Sequence, residues 1–216
     1  TRRGAAQRLL VAVRERRPRL LRLLLPCLLA FWPAWAQEAV VAPDASVPTT
    51  SSRTFDPLHT RFGFELRTRW GQRVAGMFPQ YEGEVSTLAD GRHRVRIVLR
   101  TDGVVVAGSD RYTALARGPS FFDAQHYPTI EFVSEPHSDS LIHTGGRMRG
   151  RLSMHGVTRM ETFTISRADC DQPGRDCDVL ANGSISREDY GLDGWQFALV
   201  DRVRFMLRVR LVEAPL

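Results

Sequence analysis

The chain has 216 residues and a formal charge of +6, a balance that would ordinarily suggest a nucleic-acid or anionic-membrane partner. The charge is not spread along the chain, because residues 1–36 hold eight arginines and a single acidic residue, Glu15. Basic and acidic residues nearly balance over the rest of the sequence. The net charge is therefore no evidence for a nucleic-acid-binding domain, and we expect no nucleic-acid partner.

Residues 1–36 have the layout of a secretory signal peptide. A basic beginning is followed by an apolar run, LRLLLPCLLAFWPAWA, which ends in an A-x-A cleavage motif at residues 34–36. A membrane anchor is the main alternative, but an arginine and two prolines interrupt the run, which falls short of the roughly 20 apolar residues that a span requires. We therefore predict cleavage of this segment, export from the cytoplasm and no stable membrane span.

Residues 37–53 follow as a predicted flexible leader. Their sequence, QEAVVAPDASVPTTSSR, is rich in Ser, Thr, Pro and Ala and has no apolar periodicity. We expect order to begin near Phe55. The remaining residues, 54–216, are long enough for one domain with its own core.

An alternation of apolar and polar residues dominates this domain and predicts β-strands. In DRVRFMLRVRLVE the inward positions are Val203, Phe205, Leu207, Val209 and Leu211. RFGFELR and HRVRIVLR repeat the pattern, and their inward positions are Phe62, Phe64, Leu66, Val95, Ile97 and Leu99. Further strands are predicted at 74–78, 81–87, 129–133, 146–154, 161–166 and 179–184.

One short helical segment is predicted in SDRYTALARG, with Ser109 or Asp110 as the N-cap and Gly118-Pro119 as the stop. Many short alternating strands with so little helix indicate an antiparallel sandwich or barrel. A barrel is favoured, because a long strand with one wet and one dry face suits a closed sheet better than a helix-covered one. Periodicity does not decide whether the large inward residues fill the barrel or surround a cavity.

Two cysteines follow the predicted cleavage site, Cys170 and Cys177, in the stretch CDQPGRDC. Pro173-Gly174 between them favours a turn, and in an oxidising compartment we expect the two thiols to form a disulfide. A zinc site is disfavoured, since two cysteines at this spacing without a nearby histidine do not supply a ligand set.

The sequence offers no recognisable catalytic or metal-binding motif. The six histidines do not show H-x-H, H-x-x-x-H or H-E-x-x-H spacing, and no G-x-S-x-G elbow, C-x-x-C or phosphate-cradling glycine loop is present. We therefore predict a protein that is not an enzyme, with no metal and no cofactor. A hydrolase with a dispersed site, such as His59 with Asp123, is the least favoured alternative.

Five sequence blocks, in this order, are similar to those of the YceI family: DPLHT (56–60), VAGMFPQYEGEV (74–85), FFDAQHYPTIEF (121–132), GRLSMHGVTR (150–159) and SREDYGLD (186–193). The resemblance implies a periplasmic, all-β protein with an antiparallel eight-stranded lipocalin-like β-barrel. It also implies an apolar channel that binds a polyisoprenoid lipid, of the quinone or polyprenyl phosphate type. The chain departs from the family pattern at Thr68, where a histidine is usual.

We predict that the apolar channel is lined by eight inward or loop residues: Phe62, Phe64, Phe78, Phe121, Phe122, Phe132, Phe205 and Leu207. Phe121 and Phe122 either flank an opening of the channel or plug the core beneath a loop. His59 and Arg187 are the predicted polar mouth. Each has a structural alternative: a hydrogen bond near the first strand for His59, and an ion pair with Glu188 or Asp189 for Arg187.

The functional prediction is non-enzymatic binding or carriage of a polyisoprenoid in the barrel. The alternative is an envelope-stress or scaffold protein with a filled barrel that acts through a surface protein contact. A homodimer and a monomer are both left open by the sequence. An interior with room for a hydrocarbon chain separates the first function from the second.

Overall fold

The computed structural model describes residues 49–212, which form an antiparallel β-structure with two short helices. The eleven strands are β1 Thr49–Thr54, β2 Arg61–Arg67, β3 Arg73–Met77, β4 Tyr81–Leu88, β5 His93–Arg100, β6 Val105–Val106, β7 Thr129–Ser134, β8 Gly146–Met154, β9 Val157–Ile165, β10 Val179–Ser186 and β11 Arg202–Val209. The helices are α1 Asp110–Arg117 and α2 Ser140–Thr144, and a 3-10 turn spans Glu188–Tyr190. The predicted signal peptide and the first part of the predicted leader lie outside the described residues.

All eleven strands belong to one antiparallel sheet that curls back on itself. Their order is β1-β4-β5-β7-β8-β9-β10-β11-β2-β3-β6. The chain that leaves β1 reaches the end of β11, where the backbone N–H of Asp56 donates to the carbonyl of Arg210 at 2.8 Å and that of Val212 donates to Thr54 at 3.0 Å. The predicted antiparallel barrel is confirmed, but the predicted count of eight strands is wrong. The two-residue β6 is too short to give a periodic signal.

The predicted alternation along the strands is confirmed where one face is apolar. Phe62, Phe64 and Leu66 of β2 are buried, and the residues between them are not. On β11, Val203 and Phe205 are buried, while Arg202 and Arg204, which alternate with them, are exposed. These inward side chains form the hydrophobic core, and burying them supplies the main free energy of folding.

Strand β1 corrects the predicted leader. We expected flexible chain through Arg53, yet the strand begins at Thr49 and pairs with β4, with Arg53 opposite Val85. Its hydroxyl-rich residues 51–54 are exposed, and Ser52 Oγ donates to Glu84 Oε2 at 2.9 Å. Backbone hydrogen bonds hold this edge strand, so composition and apolar periodicity gave no sign of it.

Helix α1 begins and ends as predicted. The Ser109 hydroxyl accepts a hydrogen bond from the Tyr112 N–H at 3.1 Å, and the helix ends before Gly118. It packs beside β6, where Thr113 Oγ1 accepts from the Val106 N–H at 2.9 Å. The second helix, α2, was not predicted, because its five residues are too few to show a helical period.

Candidate functional site

The barrel encloses an apolar cavity of about 110 Å³, which we call the barrel cavity. Its walls are inward side chains of β2, β4, β5 and β7 to β11. Four of the predicted channel residues line it: Phe62, Phe132, Phe205 and Leu207. A dry cavity of about 150 Å³ can hold a benzene ring. The barrel cavity in this conformation is therefore the size of about one five-carbon unit.

Glycines on the strands let phenylalanine rings lie flat against the sheet, which keeps the middle of the barrel open. The Cβ of any other residue at position 83 would lie 2.0 Å from Cδ2 of Phe55, and at position 150 it would lie 2.5 Å from Cζ of Phe132. Phe64 and Phe163 lie in the same way over Gly76 and Gly183. Such close approach is possible only where no side chain stands between the ring and the neighbouring backbone.

One end of the barrel cavity carries polar side chains, His93, His137 and Asp139, which we call the histidine mouth. The backbones of the two histidines pair, since each N–H donates to the other's carbonyl at 2.8 and 2.9 Å. His93 Nε2 lies 3.5 Å from Asp139 Oδ1. Nε2 of His137 is buried and has no hydrogen-bond partner among residues 49–212.

The electrostatics of the histidine mouth follow from burial. Burial lowers the pKa of His137, and the nearby imidazole of His93 acts in the same direction. The Ser138 carbonyl, 3.2 Å from His137 Nδ1, and the carboxylate of Asp139 act in the opposite direction. His137 is therefore neutral at pH 7, and a neutral imidazole beside an apolar cavity offers a hydrogen-bonding group without a net charge.

Sequence reasoning missed the histidine mouth because its members come from separate elements. One signal was present: His93 falls two residues before Val95, which places it on the inward face of β5. Its partner His137 lies 44 residues later, after β7, so only the pairing of the two backbones brings the rings together. The ring centroids are 6.2 Å apart.

A second cavity, of about 290 Å³, lies between β2, β3, helix α1 and residues 195–199, and we call it the α1 cavity. The predicted channel residues Phe64 and Phe121 line it, and so does Thr68, the position where the family has a histidine. Phe62 and Phe64 are successive inward residues of β2, yet they line different cavities. The apolar interior is thus divided at this level of the barrel.

A cluster of aromatic rings surrounds Phe64, the β2 residue that lines the α1 cavity. Phe78 and Phe122, which were predicted to line the channel, line neither cavity and are buried. The centroid of the Phe122 ring is 5.6 Å from that of Phe78, 6.1 Å from that of Phe64 and 4.7 Å from that of Phe121. Of the two alternatives for the Phe121-Phe122 pair, Phe121 borders a cavity and Phe122 plugs the core.

The two residues predicted to form a polar mouth lie elsewhere. His59 is exposed, its Nδ1 contacts the carboxylate of Asp56, and the hydrogen bond from His59 is the main cause of a lowered pKa at Asp56. Arg187 is buried, and its Nη1 donates to the carbonyls of Leu192 and Gly194, each at 3.0 Å. Neither side chain lines a cavity. Arg187 ties the turn after β10 instead of pairing with the neighbouring carboxylates.

The predicted disulfide between Cys170 and Cys177 is confirmed, with the two Cα atoms 6.2 Å apart. The loop that it closes contributes Pro173 and Gly174 to the wall of the barrel cavity. The carbonyl of Gly174 also accepts from the N–H of Leu211 at 2.7 Å, next to the point where the sheet closes. The disulfide therefore holds part of the cavity wall.

Within the described residues, no group of three or more His, Cys, Asp or Glu side chains could hold a metal ion. None of the helices described here is long and apolar enough to cross a membrane.

Comparison with solved structures supports the barrel fold. Over 74% of this chain, the structure is similar to Burkholderia cenocepacia BcnA, with a TM-score of 0.60, 15% sequence identity and 99% of BcnA covered. It is also similar to a polyisoprenoid binding domain from Saccharophagus degradans implicated in plant cell wall breakdown. In that case the TM-score is 0.56 at 14% identity, over 75% of this chain and 98% of that domain.

Sequence comparison identifies the family. The UPF0312 protein SAS2572 of Staphylococcus aureus strain MSSA476 is 24% identical over 148 residues, which are 65% of this chain and 81% of the relative. The UPF0312 protein SAUSA300_2620 of strain USA300 is 23% identical over the same length. The family model described as a YceI-like domain matches residues 54–211, nearly the whole described barrel. The chain therefore belongs to the YceI family.

Proposed function

We propose that this protein binds a polyisoprenoid lipid in the interior of its barrel and carries or stores it without catalysis. The observation that carries the proposal is the barrel cavity, which aliphatic and aromatic side chains of eight strands line almost completely. A branched hydrocarbon offers no group for directed hydrogen bonds. Its affinity must come from apolar area removed from water, at about 25 cal/mol per Å².

The cavity volumes suggest the length of chain that fits without rearrangement. By the benzene comparison, the barrel cavity of about 110 Å³ holds about one isoprene unit and the α1 cavity of about 290 Å³ about two. One buried five-carbon unit contributes up to about 4 kcal/mol, and micromolar affinity requires about 8 kcal/mol net. A ligand must therefore occupy more than the barrel cavity alone, and a fifteen-carbon chain is the matched probe.

The polar end of such a lipid, whether a quinone ring or a phosphate, would lie outside the apolar walls. The histidine mouth and the arginine-bearing edge of the α1 cavity are the two places where polar groups border an opening. We propose periplasmic action for this carrier. The basic and apolar character of residues 1–36 supports export, and the disulfide is typical of an oxidising compartment.

The proposed function is tested by what the protein carries. Protein purified from a bacterial host is extracted with organic solvent, and the extract is analysed by mass spectrometry. We expect a prenyl lipid in about stoichiometric amount, and uptake of added farnesol by delipidated protein. A blank extract together with no uptake of farnesol would contradict the proposal, and would favour the filled-barrel alternative with a surface protein contact.

A further inference from the structure

The opening of the α1 cavity is surrounded by exposed aromatic side chains. Phe197 is 76% exposed, Trp70 67% and Tyr112 45%, and all three line the cavity. The ring of Trp195 lies beside that of Phe197, with centroids 5.7 Å apart. Large aromatic side chains that are exposed together around an apolar opening mark an interaction surface, since in this position they do not contribute to the hydrophobic core.

Arginines accompany the same opening, and Arg111 lines the cavity itself. The segments that form it carry four exposed arginines and no Asp or Glu: residues 67–73, 111–115 and 195–200. The four arginines are Arg67, Arg69, Arg73 and Arg111. Acidic residues flank the segments: Asp110, Asp193 and Asp201 lie within two residues of their ends, and Glu65 lies 3.8 Å from Arg73. We call the four aromatic and four basic side chains the α1 rim.

The backbone holds the α1 rim in place. The N–H of Arg69 donates to the carbonyl of Ala198 at 2.8 Å, and its Nε donates to the carbonyl of Gln196 at 2.7 Å. These bonds join the β2–β3 turn to the segment that carries Phe197. Trp195 has a φ of +63°, a conformation that costs energy for a residue other than glycine. The backbone segments that carry the exposed rings are therefore joined to each other by hydrogen bonds.

We propose that the α1 rim docks the protein on the surface of an anionic lipid bilayer. Trp and Tyr favour the boundary between lipid headgroups and acyl chains, and arginines next to them are attracted to anionic headgroups. A protein partner would satisfy the aromatic rings, but a bilayer matches both the rings and the exposed arginines beside them. The purpose of this docking rests on the proposed function: a lipid tail would leave the bilayer and enter the α1 cavity directly.

The test compares full-length variants on vesicles of phosphatidylcholine with and without phosphatidylglycerol. Residues 1–36 are themselves basic, so hydrogen exchange is read locally, by mass spectrometry of peptides covering 67–73 and 195–200. We expect anionic vesicles to slow exchange in both segments. The double variant Trp70→Ser/Phe197→Ser should need at least about tenfold more lipid for half-maximal protection.

Leu58→Ser is the matched control. Leu58 is 75% exposed, but it precedes β2 whereas Trp70 follows β2, so the two residues flank opposite ends of that strand. It should behave like the wild type. The charge variant Arg67→Glu/Arg111→Glu should lose most of the difference between anionic and neutral vesicles, again about tenfold. Unchanged exchange in both segments with anionic vesicles would overturn the proposal, as would equal behaviour of the aromatic double variant and the control. Farnesol uptake in vesicle-free buffer is measured on the same samples. Uptake without protection by vesicles means that docking alone has failed, whereas no uptake means that the proposed function has failed.

Discussion

Filling the barrel cavity with one side chain should abolish the binding of an isoprenoid tail. Ala181 of β10 lines the cavity, between Leu207 of β11 and Ile165 of β9 in the strand register. Ala181→Phe adds a phenyl group, which needs a space of about 150 Å³ against the roughly 110 Å³ present. The ring would therefore occupy the whole cavity and press slightly on its walls.

The size of the effect follows from the displaced hydrocarbon. Excluding one five-carbon unit removes about 4 kcal/mol of transfer free energy, which weakens binding by about a thousandfold. The slight overpacking should lower the free energy of unfolding by about 1–3 kcal/mol. The neighbouring Leu180→Phe is the matched control, because Leu180 is 43% exposed and successive residues of a strand face opposite sides.

The assay is a farnesol titration by calorimetry, accompanied by urea unfolding of each variant. Wild type and Leu180→Phe should bind alike, and Ala181→Phe should show no binding at the same concentrations while remaining folded. Should folded Ala181→Phe bind farnesol within about threefold of the wild type, the ligand does not use the barrel cavity, and the volume argument is wrong.

Three further predictions concern residues in and around the site. Gly83→Ala should destabilise the barrel by about 1–3 kcal/mol, because the three atoms nearest to the added methyl group all belong to the Phe55 ring. Phe55→Leu in the same chain should restore most of this loss in a double-mutant cycle. Arg187→Met should lower the free energy of unfolding in urea by about 2–4 kcal/mol, since it leaves two carbonyls without their donor and removes the guanidinium that lies 5.6 Å from the centroid of the Phe121 ring. His137 has a lowered pKa in the folded state. Its contribution to stability should therefore be full above the ordinary histidine pKa of about 6.5 and should decline as the pH falls below that value. In urea unfolding, His137→Phe should flatten this part of the dependence of stability on pH.

Much of the barrel could be predicted because most of its strands have one buried face, which appears in the sequence as an alternation of apolar and polar residues. The bounds predicted for the strand 146–154 are those of β8, and RFGFELR matches β2. The predicted strand 161–166 was too short, because the first residues of β9, from Val157, are mostly exposed and show no alternation. Edge and hairpin pairing depends on backbone hydrogen bonds, which are the same for every side chain.

The candidate site was harder to predict than the fold. Inward phenylalanines were identified by their period, but the packing of Phe122 against Phe64 and Phe78 depends on the path of a loop. The histidine mouth depends on two backbones that pair across 44 residues, and Arg187 gives no sequence sign that its partners are carbonyls rather than carboxylates. Alternation tells which face a side chain occupies, whereas a cavity is defined by what the opposite wall leaves empty.

Under the proposed function, the ring cluster around Phe122 bounds the space that a lipid in the α1 cavity can reach, because Phe64 and Phe121 line that cavity and both contact Phe122. Phe122 makes edge contacts with Phe64, Phe78 and Phe121, and each such contact contributes about 0.5–1.5 kcal/mol beyond burial. Turning the ring aside therefore costs about 3 kcal/mol, whereas one more buried isoprene unit returns up to about 4. Displacing the ring therefore nets only about 1 kcal/mol, or about fivefold in affinity, whereas a unit that enters a space already present gains the full amount. Affinity should therefore rise steeply with tail length until both cavities are filled, and only slightly beyond that length.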